Sequence, residues 1–171
     1  MNSAQNRILD AEFRGADQDH QSLRLWLRLL TCTNLIESKL RNHLRLEFGC
    51  TLPRFDMLAQ LESHPEGLSM GQLSQLMMVS AGNVTGISNQ LEKEGLIVRK
   101  VSAKDRRSFS LSLTPEGKEQ IAIMMRSYQA CLSDIFTQIS EEGTDTAINM
   151  LGQLKQKILT DQAPLMRLAS V

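Results

Sequence analysis

Two helix-start signals, Ser69 and Ser80, stand so close together that the chain between them has room for only a short helix and a turn. Ser69 followed by Gln72 has the form of a capping box and opens a helix through Met78, with Met70, Leu73, Leu76 and Met77 facing inward. Ser80 caps a second helix that carries Val84, Ile87 and Leu91 on one face, and Gly95 stands where a helix C-terminus favours glycine. Two helices this close form a tight helix-turn-helix. The hydrophobic period then changes. Ile97 to Val101 is rich in β-formers, and Ser108 to Leu113 alternates polar and apolar residues, the pattern of a half-buried strand. Ser102 to Arg107 lies between them as a hairpin tip.

Long amphipathic segments flank this centre. Apolar residues recur at helical spacing from about Gln21 to Phe48, and Gly49 ends that helix with the residue best able to turn left-handed. Thr51 and Pro53 restart the chain into a shorter helix through about Glu62, and His64 to Leu68 reads as a turn. Thr114 and Pro115 open another long helix with Ile121, Met125, Tyr128, Leu132, Ile135 and Ile139 in one stripe. Gly143 is read as its breaker, with a last helix from about Thr144 carrying Ile148, Leu151, Leu154 and Ile158. The tail after Pro164 is expected to order only against a partner. The predicted class is mainly α: a winged helix-turn-helix with a small β-hairpin wing and long N- and C-terminal dimerisation helices. Residues 1–18 form an N-terminal arm, 19–52 and 115–171 the helical dimerisation region, and 53–114 the winged helix-turn-helix region. The end helices carry more apolar residues than so small a centre can cover, which points to a second copy of the chain as partner.

Nineteen basic residues balance nineteen acidic ones, so net charge favours neither nucleic acid nor membrane as partner, and the argument must be local. Between Ser80 and Leu91 there is no charge. Opposite the apolar stripe of that helix lie Asn83, Thr85, Gly86, Asn89 and Gln90, with Gly82 in its first turn. Amides can pair with adenine, threonine can offer a hydroxyl or methyl to a base edge, and the glycines permit close approach to phosphate. A solvated, uncharged helix face would look the same. The next stretch favours DNA: from Lys93 to Arg107, the basic residues Lys93, Arg99, Lys100, Lys104, Arg106 and Arg107 outweigh Glu94 and Asp105, a local charge of +4. Arginine at a hairpin tip suits a narrow minor groove, and Asp105 could hold a guanidinium in place. An exposed charged hairpin without a ligand remains the alternative.

The stretch from Leu68 to Ile121 resembles the winged-helix core of the MarR family. The resemblance is carried by NVTGISNQLEKEGLI with VRK, by DRR at the wing, and by LTPEGKE at the start of the next helix. It implies a homodimeric, cytoplasmic transcription regulator, and a repressor in particular, bound to a pseudo-palindromic double-stranded DNA operator. Ser80, Gly82, Asn83, Thr85 and Gly86 would then face the major groove, with Asn89 and Gln90 beside them. Arg107 would enter the minor groove with Asp105 as its positioner, and Arg99, Lys104 and Arg106 would meet phosphate. Many relatives carry an arginine on the exposed face of this helix, where the present chain offers Gly86, Asn89 or Gln90, so base preference does not carry over.

The resemblance further implies release of DNA when a small aromatic acid or related thioester enters a cleft beside the dimer helices. Trp26, Arg54, Phe55 and Tyr128 are the candidate lining, with Arg54 as carboxylate partner. Core or surface roles for all four are the alternative. Cys32, Cys50 and Cys131 are too widely spaced for a zinc site or a disulfide framework and read as reduced, mostly buried thiols. A thiol-based redox sensor is a second functional reading, although Thr31 and Thr33 give Cys32 no neighbouring cation. A winged-helix module that binds protein rather than DNA is a third. An enzyme has little support: His20, His43 and His64 form no metal-ligand pattern, and His43 reads as a surface residue of its helix. No cofactor or metal is expected, and no stretch is apolar enough for a signal peptide or membrane span.

Overall fold

The computed structural model describes residues 21–101 and 109–168. Its first compact unit ends at Leu132. It contains α1 (Gln21–Phe48), α2 (Leu52–Glu62), β1 (Leu68–Ser69), α3 (Met70–Met77), α4 (Ala81–Lys93), β2 (Ile97–Val101), β3 (Phe109–Leu113) and most of α5 (Pro115–Phe136). The second unit begins at Ser133 and consists of the end of α5 and α6 (Glu141–Leu168).

Each boundary has a local cause. Gly49 stops α1 at φ +59°, and the amide of Cys50 reaches back to the Leu44 carbonyl at 3.2 Å, satisfying a last-turn acceptor. Pro53 sits in the first turn of α2, where its missing N–H costs nothing. The capping box at Ser69 is present in full: the Ser69 hydroxyl accepts from the Gln72 amide while the Gln72 side chain accepts from the Ser69 amide. Thr114 caps α5 by accepting from the Gly117 amide at 3.0 Å.

The core lies beneath the helix-turn-helix. Leu73 of α3, Val84 and Leu91 of α4, Met57, Leu58 and Leu61 of α2, Leu111 of β3 and Ile121 and Met124 of α5 are all buried there. Only Leu40 and Leu44 of α1 are buried. Leu23, Leu25, Trp26, Leu30 and Leu35 stay exposed along its N-terminal part, and α6 buries none of its described side chains.

Several expectations need correction. Leu68 belongs to a third strand rather than a turn: β1 pairs antiparallel with β3 (Leu68↔Leu111, Ser69↔Ser110), giving the sheet order β1-β3-β2. Two residues are too few to carry a period. Gly67, at φ +88°, makes this pairing possible, because a Cβ there would lie 2.8 Å from the Leu111 carbonyl oxygen. The β3 alternation is also incomplete: Phe109 is exposed beyond the edge of the core, and Ser112 is buried close beneath Gly67. Leu76 is exposed on α3, and on α4 Ser88 is buried while Ile87 is only half-buried. Ser88 is tolerated because its hydroxyl donates to the Thr85 carbonyl at 3.0 Å.

At the other end α5 stops at Phe136, so Ile139 lies in the link and not in the helical stripe. Gly143 is not the breaker. It lies in the first turn of α6, where its amide donates to the Ser140 hydroxyl at 3.1 Å, and α6 continues past Pro164 to Leu168. His43 is half-buried, with its Nε2 2.8 Å from the Ser127 hydroxyl, and that hydroxyl donates to Glu47 at 2.8 Å. Because the serine proton goes to the carboxylate, the histidine nitrogen facing it is the donor, and the chain of bonds ties α1 to α5.

Candidate nucleic-acid interface

The turn between α3 and α4 is held from both sides. Met78 ends α3 in the left-handed region at φ +54°, the Val79 amide donates to the Ser74 carbonyl at 3.2 Å, and the Ser74 hydroxyl donates to the Val79 carbonyl at 2.6 Å. Ser80 then caps α4, accepting from the Asn83 amide at 3.4 Å. With Val84, Ser88 and Leu91 turned inward, Gly82, Asn83, Thr85, Gly86, Asn89 and Gln90 are all exposed, as is Ser80. A Cβ at Gly86 would meet nothing, and at Gly82 only the Ser80 hydroxyl at 4.0 Å. The protein's own packing therefore requires neither glycine, although each weakens a helix by up to about 1 kcal/mol relative to alanine. The Thr85 hydroxyl donates to the Ala81 carbonyl at 2.9 Å, so its methyl and lone pairs are what it presents outward.

The wing is fixed to this helix through Arg99. Its Nε lies 3.0 Å from a Glu92 carboxylate oxygen, and its terminal nitrogen donates to the Asn89 side-chain oxygen. Arg99 is thus already engaged by two residues of α4. Sequence reasoning missed Glu92, which lies just outside the basic stretch but packs back on it. Strands β2 and β3 pair from Ile97↔Leu113 to Val101↔Phe109. Lys104, Asp105, Arg106 and Arg107 lie outside the described residues.

The four residues expected to line an effector cleft do not form one set. Phe55 is a core residue, 3% exposed, and stacks on half-buried Tyr128 with ring centroids 4.5 Å apart. Trp26 is exposed on α1, eighteen residues before buried Leu44, or about 27 Å at 1.5 Å per residue. Arg54 forms an ion pair with Glu94, the C-cap of α4.

Asp56, which the sequence reading passed over, is the most perturbed group in this region. Burial first and the nearby Glu37 second raise its carboxyl to about 6. Burial, and then Asp56, raise the Tyr128 hydroxyl. Cys32 is exposed and Cys131 half-buried, which corrects the expectation of mostly buried thiols. Burial pushes the Cys50 thiol up, away from the reactive thiolate.

This geometry has close parallels. The MarR family model matches residues 50–109, from just after α1 to the first residue of β3. The crystal structure of a MarR family transcriptional regulator from Silicibacter pomeroyi is 32% identical, with a TM-score of 0.71, and the match covers 84% of this chain and 99% of that one.

The chain belongs to the MarR family.

Other likenesses agree with that placement. A protein of Thauera aromatica assigned as transcriptional regulator for the hcr operon is 33% identical over 106 residues, 62% of this chain and 63% of that protein's own length. The transcriptional repressor YetL of Bacillus subtilis is 27% identical over 148 residues, 84% of this chain and 86% of that protein. CouR of Rhodococcus jostii, solved with p-coumaroyl-CoA, shares the fold with a TM-score of 0.69 at 21% identity, over 78% of this chain and 90% of that one. MarR relatives are transcriptional regulators and not enzymes, so the present chain is a MarR-family transcriptional regulator. Among the described residues no helix is long and apolar enough to cross a membrane.

Proposed function

We propose that this MarR-family regulator is a cytoplasmic repressor that binds a pseudo-palindromic operator as a homodimer and lets go when a small effector binds. The observation that carries the reading is the outer face of α4, uncharged and unobstructed from Ser80 to Gln90 and joined through Arg99 to a basic wing. In this reading Gly82, Asn83, Thr85, Gly86, Asn89 and Gln90 read base edges, Arg107 enters the minor groove beside Asp105, and Lys104 and Arg106 hold phosphate. The exposed apolar residues of α1, and in the second unit those of α6, are apolar surface for a second copy to cover, as the two-fold symmetry of a palindrome requires. The effector is an aromatic acid or a related thioester, with Arg54 as its carboxylate partner.

Selection from a random duplex library tests this, followed by titration of the selected sequence at several salt concentrations. A two-fold symmetric site with half-sites about one helical turn apart is expected, with affinity falling steeply with salt. Asn83→Ala should change the selected bases while leaving the salt slope alone. A chain that enriches no sequence is better read as a protein-interaction module, and one that binds DNA as a monomer is not this kind of regulator.

A further inference from the structure

Arg99 of β2 meets α4 at two points. Its Nε lies 3.0 Å from a carboxylate oxygen of Glu92, and a terminal nitrogen donates to the side-chain oxygen of Asn89. Residues three apart on a helix are surface neighbours, so one guanidinium spans both. The Arg99 and Glu92 side chains are 38% and 39% exposed, and an ion pair that open to water contributes little to stability. What it does contribute is position. With Nε held by Glu92, the terminal nitrogen is already in place for Asn89, and the Asn89 amide is ordered before any DNA arrives.

The bond also decides what chemistry Asn89 has left. A side-chain amide is half acceptor and half donor, and adenine is read by both halves at once: the oxygen accepts from the N6 amine while the NH2 donates to N7. Arginine has only donors, so the atom of Asn89 that it takes is the oxygen. That oxygen has a second lone pair, but an adenine amine using it would lie beside the guanidinium, donor against donor. The NH2 that remains can meet only acceptors. In the major groove guanine alone shows two acceptors side by side, N7 and O6, whereas adenine and cytosine each place an amine there.

We propose that Asn89 reads guanine rather than adenine, and that Arg99, held by Glu92, is the positioning residue that sets this choice. The inference rests on α4 being the base-reading helix, as proposed above. It gives Arg99 a role other than the phosphate contact that the resemblance implies, and it makes the base preference of this chain depend on a residue of the wing.

The test is selection from a random duplex library with the wild-type chain and with Asn83→Ala, Asn89→Ala, Asn89→Asp and Arg99→Ala, each first shown to be folded by its helical circular dichroism. The operator position that loses its preference in Asn89→Ala is the one Asn89 reads, and there the wild type should favour guanine over adenine by at least about five-fold. Asn89→Asp has the same shape and still accepts from Arg99, but it offers an acceptor where the NH2 stood, so the preferred base should become cytosine, whose amine can donate to it. Arg99→Ala frees the oxygen, so the same position should turn to adenine, while the position read by Asn83 keeps its base. A purely structural Arg99 would instead lower affinity alike for all sequences. No position altered in Asn89→Ala, adenine preferred at the altered position by the wild type, or guanine kept there in Asn89→Asp or Arg99→Ala would each overturn the assignment. A wild-type chain that enriches no sequence at all is a different result: it rejects the DNA-binding reading itself and removes this assignment with it.

Discussion

Gly117, in the first turn of α5, lies so close to Leu96 that a Cβ on it would stand 2.0 Å from the Leu96 carbonyl oxygen. The same oxygen accepts from the amide of Thr114 at 3.1 Å, and the Thr114 hydroxyl donates to the neighbouring Gly95 carbonyl at 2.7 Å, so the start of α5 is tied to the base of the wing. At an ordinary helix position, glycine to alanine stabilises by up to about 1 kcal/mol. Here backbone fills the space a methyl would need, and the sign reverses. Gly117→Ala is predicted to cost about 1–3 kcal/mol, as overpacking does, and to lower the urea midpoint at unchanged slope. A variant as stable as the parent would show that the approach of Gly117 to Leu96 is looser than described.

Met78 presents the opposite case. It is 92% exposed and adopts φ +54°, a region that costs an L-residue about 1–2 kcal/mol, and its side chain is too exposed to gain much from packing. Glycine adopts that conformation freely but loses more entropy on folding. Met78→Gly is therefore predicted to stabilise the chain by about 0.5–1 kcal/mol, read as a rise in thermal midpoint with the helical circular dichroism unchanged. A fall in midpoint would mean that the methionine side chain holds the turn through contacts not visible in one chain.

Asp56 makes stability depend on pH in a definite direction. Its carboxyl titrates near 6 in the folded chain and near its ordinary 3.8 when unfolded, so between those values the native state binds more protons. The stability this group allows is present in full below about pH 4, is lost as pH rises to about 6, and is flat above. Asp56→Asn is predicted to remove that fall and to be more stable than the parent at pH 7 by about 1–3 kcal/mol. The difference between variant and parent in urea melts from pH 4 to 7 isolates the group from other acids. A difference that does not grow over this range would reject the assignment.

These residues also show where sequence reasoning succeeds and where it stops. Ser69 with Gln72, Ser80, Gly49 and Thr114 announce their helix ends because capping chemistry is local, and all four ends are found where those residues put them. The uncharged face of α4 was legible for the same reason, since it lies half a helical turn away from Val84 and Leu91. The two residues of β1 carry no period, and their pairing depends on β3 far along the chain. Arg54 meets Glu94 forty residues away and His43 meets Ser127 eighty-four away, so neither bond leaves a local trace. Asp56 lies within the apolar run from Leu52 to Leu61, and a carboxylate among buried neighbours was the available sign that it is perturbed.

The two arginines assigned to the wing should fail in different ways. Arg99 has Glu92 beside its guanidinium and donates to Asn89, and because arginine has only donors, the occupied atom of Asn89 must be its oxygen. That leaves the Asn89 amide N–H groups as the part of the side chain proposed to meet acceptors on the bases. Arg99→Ala should weaken operator binding chiefly by releasing Asn89, so its effect and that of Asn89→Ala should fall short of adding, with a coupling of about 0.5–3 kcal/mol. Its salt slope should hardly change, because Glu92 already balances the charge. Arg107→Ala, at a position proposed to lie against the sugar–phosphate walls of the minor groove, should lower that slope by about one. Titrations of both variants against one operator at several salt concentrations decide the matter. A slope that drops for Arg99→Ala and holds for Arg107→Ala would exchange the two roles.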